Sequence, residues 1–500
     1  MEHVDVIIVG AGISGIGVAA HLRQRQPDRT FVMLEGRHAI GGTWDLFRYP
    51  GIRSDSDMYT FGYAFKPWVA DRNLATAEAI RNYLHETVDE YNLEPHIRFH
   101  HRVLEAAWSS TERRWRLRVQ RKDGGVVDLT CHFLVTGTGY YNYERGHTPD
   151  LPGLDTFEGQ VIHPQHWPEN LDYAGKRVLI VGSGATAVTL VPEMAKTAAH
   201  VTMLQRSPTF VISRPAQDPV AMWLKRWFPA GMAHTMVRTK NTVMGWLLYR
   251  LAQGIPERIR KYLLDQAREG TEGKVDVDVH FNPKYNPWDQ RLCLIPEGDL
   301  FEALKSDRAD IVTDTIERFG PTGVTLASGQ TIDADIVVTA TGLQLQVLGG
   351  IDMSIDGRPL DAADLVTYKG VMFGNVPNWM AVIGYTSASW TLKVDLAAIW
   401  LCRLFDHMER HGFDVATPRY TTGETQPYMA KLSSAGYIQR GLAQMPRQGT
   451  TAPWLNRDDY FGDVMSLRWG TIDDGVLAFK RVEDARPVAP GVTTSAGVRG

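Results

Sequence analysis

Two hexapeptides, Gly10-Ala11-Gly12-Ile13-Ser14-Gly15 and Gly182-Ser183-Gly184-Ala185-Thr186-Ala187, space their small residues as a pyrophosphate-binding turn requires. In such a turn the first glycine permits the tight bend. The second lets phosphate approach the backbone, and the third lets helix and strand pack closely. Ala187 takes the third place in the second copy, which the motif tolerates because that place governs only helix–strand spacing. A helix that starts at the turn adds free N–H groups and a partial positive charge. The chemistry implied is the binding of two dinucleotides.

Each turn needs a strand before it, and a helix and a second strand after it. Residues 4–9 read VDVIIV, the pattern of a strand buried on both faces in a parallel sheet. A helix is predicted over 16–26, ended by Pro27, and a strand over 30–34 that delivers Glu35. In the second copy the strand Arg177–Val181 precedes the turn, a helix runs to about Lys196, and a strand over 200–204 delivers Gln205-Arg206-Ser207. Glu35 suits the hydroxyls of an adenosine ribose and repels a 2′-phosphate. Arg206, with the Ser207 hydroxyl beside it, suits that phosphate. The first site is therefore expected to hold FAD and the second NADPH, in an α/β chain with two Rossmann-like domains. A further strand is predicted over 330–338, ending at Thr339-Ala340-Thr341-Gly342, a kind of strand end that often passes near the flavin in two-dinucleotide flavoproteins and by itself marks only a turn.

Composition removes other classes. The chain has 500 residues and a net charge of −4, too little basic surface for a nucleic-acid partner. Its three cysteines, Cys131, Cys293 and Cys402, form no C-x-x-C. That argues against a disulfide framework, a zinc knuckle or a flavin–disulfide relay, and for a reducing cytoplasm. No signal peptide or membrane-length apolar run is read. The tail, 485–500, is rich in Pro, Gly, Ser and Thr and is expected to be disordered.

Between the turns, Phe157, Gly159, His163, Trp167 and Pro168 fill every fixed place of F-x-G-x-x-x-H-x-x-x-W-P. Gly41-Gly42-Thr43-Trp44, Tyr49-Pro50-Gly51 and Asp55 form a second pattern. On these residues the chain resembles the type I Baeyer–Villiger flavin monooxygenases, and in the stretches 41–60, 162–169, 183–192 and 285–293 it resembles most of all the ethionamide-activating kind found in mycobacteria. The resemblance implies an NADPH-dependent enzyme that forms a flavin C4a-peroxide with O2. That peroxide converts ketones to esters or lactones and also oxidises sulfides or thioamides. A heteroatom oxygenase of the same fold stays open as an alternative, as does a non-oxygenating FAD/NADPH redox sensor. His163 and His166 form an H-x-x-H, but Pro164 and Pro168 break a helix there, so His163 is read as structural rather than as a metal ligand.

The resemblance also implies site residues. FAD contacts are expected at Gly10, Gly12, Ser14, Gly15, Glu35, Gly42, Thr43, Trp44, Asp45, Leu46, Asp55 and Val103. NADPH contacts are expected at Gly182, Ser183, Gly184, Ala185, Thr186, Ala187, Arg206 and Ser207. Arg291 is the expected catalytic cation, since arginine stays protonated and can stabilise a developing oxyanion. Asp55 is its expected partner. Many relatives carry Lys where Gln290 stands, which shifts NADPH recognition onto Arg206 and Ser207.

The FAD domain is expected over 1–145 and 343–484 and the NADPH domain over 151–212 and 289–342, with a helical insertion over 213–288. The insertion sets Trp223, Trp227, Phe228, Trp246 and Tyr249 among Lys225, Arg226, Arg238 and Arg250. That is the make-up of a membrane-surface helix. The preferred reading is that it packs on its own protein and lines a pocket. The segment 384–390 reads as an active-site loop from its hydroxyls and aromatic rings.

Overall fold

The computed structural model describes residues 1–290, 292–428 and 436–481. The first apolar run forms the strand Glu2–Val9, parallel to Phe31–Leu34 on one side and to Val126–Thr136 on the other. Val6, Ile7 and Ile8 are fully buried, which is why this run shows no polar alternation. Phe31–Leu34 pairs in turn with Ile97–Arg98. On the other flank, Arg102–Ser109, Arg114–Gln120 and Val126–Thr136 form an antiparallel meander. There Trp115, Leu117 and Val119 are buried between exposed Arg116 and Arg118, the alternation of a sheet with one wet face.

The same nine-stranded sheet takes Asp352–Ile355 and Arg358–Pro359 at its edge and Trp379–Ala381 beside Val126–Thr136. The helices Ile13–Arg25 and Trp390–His411 share its main core, with Ile16, Val394 and Leu401 among the buried members. A buried contact of 3.1 Å between His21 Nε2 and Asp395 Oδ1 joins these two helices.

A second sheet has five strands, all parallel, in the order Ala309–Thr313, His200–Gln205, Arg177–Val181, Ile336–Thr339, Gln160–Ile162. The helices Ala185–Met194, Pro256–Thr271 and Asp299–Lys305 bury Val188, Leu264 and Leu300 in its core. The strand expected over 330–338 is two. Thr331–Asp333 belongs to a small antiparallel sheet, while Ile336–Thr339 lies inside the parallel one. The chain changes sheets at Ala334 and Asp335, whose amides donate to Thr322 and Arg177 carbonyls. The helix expected from residue 16 begins at Ile13, directly after Gly12.

The segment 213–288 is helical in four pieces and serves both cores. Pro219–Trp227 and Ala230–Gly254 put Leu224 and Val237 into the first. Pro256–Thr271 and Val277–His280 put Leu264 and Val277 into the second. Trp223 and Trp227, expected to pack on the protein, are 56% and 71% exposed. The period of an amphipathic helix marks an apolar face but does not say what covers it. No helix among the described residues is long and apolar enough to cross a membrane. The tail 485–500 lies outside the described residues.

Candidate functional site

Each glycine-rich turn joins a buried strand to a helix whose N-terminus no side chain caps, Ile13–Arg25 in the first case and Ala185–Met194 in the second. The first amides of both helices therefore lack the partners a cap would give, the arrangement that receives phosphate oxygens. Gly10 has φ +99°, and a Cβ there would stand 2.8 Å from the Gly137 carbonyl oxygen. A Cβ on Gly15 would stand 1.9 Å from the Gly10 carbonyl oxygen, so helix and strand touch without room for a methyl group. A Cβ on Gly184 would meet nothing within 4 Å. The fold therefore does not require a glycine at 184, and the open space beside its backbone is the kind that the second glycine of a pyrophosphate-binding turn provides.

Glu35 is buried at the end of Phe31–Leu34. Its carboxylate accepts the Ala11 amide at 2.8 Å and the Arg37 amide at 2.9 Å, which fixes it beside the first turn. His101 N donates to the Glu35 carbonyl, and Val103 lies two residues on, buried in the sheet core. Ser14 Oγ accepts Trp390 Nε1–H at 2.8 Å. The short helix Thr43–Leu46 starts after Gly42 and includes Trp44, which packs edge-on against Phe61. Thr43 Oγ1 lies 3.2 Å from the Tyr143 hydroxyl. Asp45 is buried and neutralised by Arg37, at 2.8 Å, and by Arg48.

In the second half, Ser183 is half-buried and Ala187 is buried in the core behind the turn. Thr186 hydrogen-bonds Tyr49, the tyrosine of the second fingerprint. Burial pushes the Tyr49 phenol up to about 12 against that smaller opposing pull. Arg206 and Ser207 follow His200–Gln205 and are exposed. Arg440, on the helix Gly436–Gly441, lies over Gly342, with Nη2 3.4 Å from where a Cβ would stand. Burial, and then the Arg206 charge, lower the pKa of Arg440, so the two guanidinium groups share one region.

A cavity of about 250 Å³ is lined by Gly12 and Ser14 from the first turn and by Ala185 and Thr189 from the second helix. Asp55, Ser56, Leu294 and Ala388 border it and also border a cleft of about 1420 Å³. Thr386 to Ser389 line that cleft, and Asp458 fixes their loop by accepting the Thr386 amide at 3.0 Å and its hydroxyl at 2.6 Å. Asn241, Leu248 and Tyr249 of the helix Ala230–Gly254 line the cleft from the insertion, and Gln290 lines it too. Arg291 lies outside the described residues.

Sequence reasoning passed over Arg53. Its Nη1 lies 2.6 Å from Asp299 Oδ2, while Nη2 is buried in the cavity wall without a hydrogen-bond partner. Asp299 is raised by burial, with Arg53 acting against that rise. The signal was present, since Arg53 stands inside the fingerprint that runs from Gly41 to Asp55. His163 is a brace. Its Nδ1 accepts the Gln165 amide, Nε2 lies 3.2 Å from the Gly342 carbonyl oxygen, and its ring lies against Gly146. His166 Nε2 lies instead 3.0 Å from the Glu144 carbonyl oxygen.

Residues 4–253 match the model of the family described as flavin-binding monooxygenase-like. The chain is 50% identical over 486 residues to the probable FAD-binding monooxygenase AlmA of Acinetobacter baylyi, covering 97% of each chain. It is 48% identical over 492 residues to the FAD-containing monooxygenase EthA of Mycobacterium tuberculosis, covering 98% of this chain and all of the other. Among solved structures, an oxidised steroid monooxygenase bound to NADP superposes with a TM-score of 0.75 at 21% identity. That match covers 96% of this chain and 100% of the other.

Proposed function

The chain belongs to the flavin-binding monooxygenase-like family, and from that premise we propose that it is an FAD- and NADPH-dependent Baeyer–Villiger monooxygenase. Its substrates on this reading are ketones, which leave as esters or lactones, with sulfides or thioamides as secondary substrates. One observation carries the reading: a single cavity receives both the first glycine turn and the start of the second helix, and it shares a wall with the large cleft. The two turns would hold a flavin and a nicotinamide at opposite sides of that cavity, and a substrate in the cleft would reach the wall the two spaces share.

The residues fit the two groups. Uncapped helix ends would receive each pyrophosphate, open space stands at Gly184, and the partnerless Arg53 Nη2 offers a donor in the wall of the shared cavity. Glu35 would accept hydrogen bonds from the FAD ribose. Arg206 and Ser207 would hold the NADPH 2′-phosphate, with Arg440 beside Arg206 as a further cation. The chemistry a bound flavin would supply here is the activation of dioxygen. The chain's part is to exclude water, to hold the carbonyl substrate in the cleft, and to place Arg291 where negative charge develops. Asp55 orients that arginine. Residues 1–145 with 343–484 serve FAD on this reading, residues 151–212 with 289–342 serve NADPH, and within the insertion 213–288 the helix Ala230–Gly254 forms the substrate wall.

The test is product analysis by gas chromatography after incubation with NADPH, air and 2-octanone, with methyl phenyl sulfide in parallel. Ester is the expected product. Sulfoxide from the sulfide with no ester from ketones of varied length would replace this reading with a heteroatom oxygenase.

A further inference from the structure

Twenty large apolar side chains are exposed among the described residues, and 11 of them fall between Val220 and Ile255. On the helix Ala230–Gly254, Met232, Met236, Val243, Leu247 and Leu251 recur at spacings of four and seven and form one stripe along its outer side. The opposite side buries Val237 and Arg238 and turns Asn241, Gly245 and Leu248 to the cleft. One helix thus carries the cleft wall on one side and bare apolar surface on the other. The surface continues onto a neighbouring segment. The Trp246 and Phe461 rings meet at 5.5 Å, and Phe461, Met465 and Trp469, four residues apart in turn, are all exposed. A contiguous apolar face of this kind marks an interaction site, where scattered exposed residues would not.

Charge selects the occupant. The stretch Pro219–Gly254 holds five Lys or Arg and no Asp or Glu in a chain of net charge −4. Lys225, Arg238, Lys240 and Arg250 are engaged by Asp71, Asp395, Asp218 and Asp459. Arg226, Arg258, Lys261 and Arg468 are exposed beside Trp227, Ile255, Tyr262 and Trp469, and no carboxylate pairs with any of them among the described residues. A second copy of the chain docked through this face would bring like charges together across a twofold axis. An anionic bilayer meets the cations with its headgroups and takes up the tryptophan and methionine side chains just below them. We propose that this face docks on an anionic lipid surface, with the helix Ala230–Gly254 lying between the lipid and the cleft.

The experiment is co-sedimentation of the full-length protein with vesicles of phosphatidylglycerol and, separately, of phosphatidylcholine. Binding to the first, weaker binding to the second, and weakening by salt are expected. Replacing Trp223 and Trp227 by serine should lower partitioning roughly tenfold or more. Because both side chains are exposed and line neither cavity, the melting temperature and turnover of a water-soluble ketone should not change. Arg226→Glu with Lys261→Glu should reduce binding to the anionic vesicles alone. Absence of binding to either vesicle would overturn the proposal. So would a dimer in sedimentation equilibrium that the tryptophan substitutions convert to monomer, since the face would then be a contact between copies. Neither result depends on oxygenation, so the enzymatic reading stands or falls separately.

Discussion

Arg238 Nη2 lies 2.9 Å from Asp395 Oδ2 in a site from which water is almost excluded, and Nη1 of the same side chain meets the carbonyls of Tyr59, Thr60 and Gly62. This one arginine ties the helix Ala230–Gly254 to Trp390–His411 and to the chain just beyond Asp55. Its removal leaves the Asp395 carboxylate buried without its strongest partner. Arg238→Ala should cost about 3–5 kcal/mol, read from chemical denaturation. A loss below about 1 kcal/mol would mean that the site is wet in solution.

His234, one turn before Arg238, is held neutral. Burial, and after it the Arg238 charge, bring its pKa down from 6.5 to about 4. The geometry agrees, since Nδ1 accepts the Trp68 amide at 3.1 Å and so carries no proton. Unfolding releases the imidazole to its ordinary value, so the unfolded chain binds the extra proton first. The contribution is complete above 6.5 and is lost as pH falls from there toward 4, amounting to roughly 3 kcal/mol. His234→Asn keeps an acceptor for Trp68 and should flatten stability against pH across that window by about one proton.

The two glycine turns should separate under substitution. Gly15→Ala drives a methyl group into the Gly10 carbonyl and should yield destabilised, colourless protein. Gly184→Ala meets only open space. It should melt like the parent and keep its flavin, yet show a raised KM for NADPH in steady-state kinetics.

Arg206→Ala should leave stability unchanged, because the side chain is exposed. Loss of a charge-assisted contact to phosphate should raise the KM for NADPH roughly tenfold to a hundredfold, with NADH unaffected. Arg440→Ala should act in the same direction, and a double substitution that erases the preference for NADPH would show that both serve the 2′-phosphate.

Arg291→Ala should still bind FAD and be reduced by NADPH in stopped flow, while ester formation falls roughly 100-fold or more. Unchanged ester yield would remove Arg291 from the mechanism.

What the sequence made legible was local. The run into Gly10 and its delivery of Glu35 take about thirty consecutive residues, and the strand Arg177–Val181 appears with the bounds its apolar pattern implies. The stretch before Thr339 misled because the apolar run Ile336–Thr339 follows Thr331–Asp333, a strand that buries only Ile332, after just two residues, and only tertiary pairing divides them. Arg53 and Asp299 are far apart in the chain, so nothing near either announces their contact. The insertion's amphipathic period was readable. Which apolar residues would be covered was not, because that depends on helices elsewhere in the chain.

The nine-stranded sheet draws Asp352–Ile355, Arg358–Pro359 and Trp379–Ala381 from the far end of the chain, and its core needs Trp390–His411. The five-stranded sheet has all its strands between Gln160 and Thr339. Multidomain chains ordinarily mature in the order of synthesis, N-terminal unit first. Here the order is inverted: on the ribosome the later-starting half has every strand it needs while the half that begins at Glu2 still waits for its partners. During that interval the apolar strand Glu2–Val9 already has its two pairing partners, Phe31–Leu34 and Val126–Thr136, but the core beside it stays open until Trp390–His411 is made.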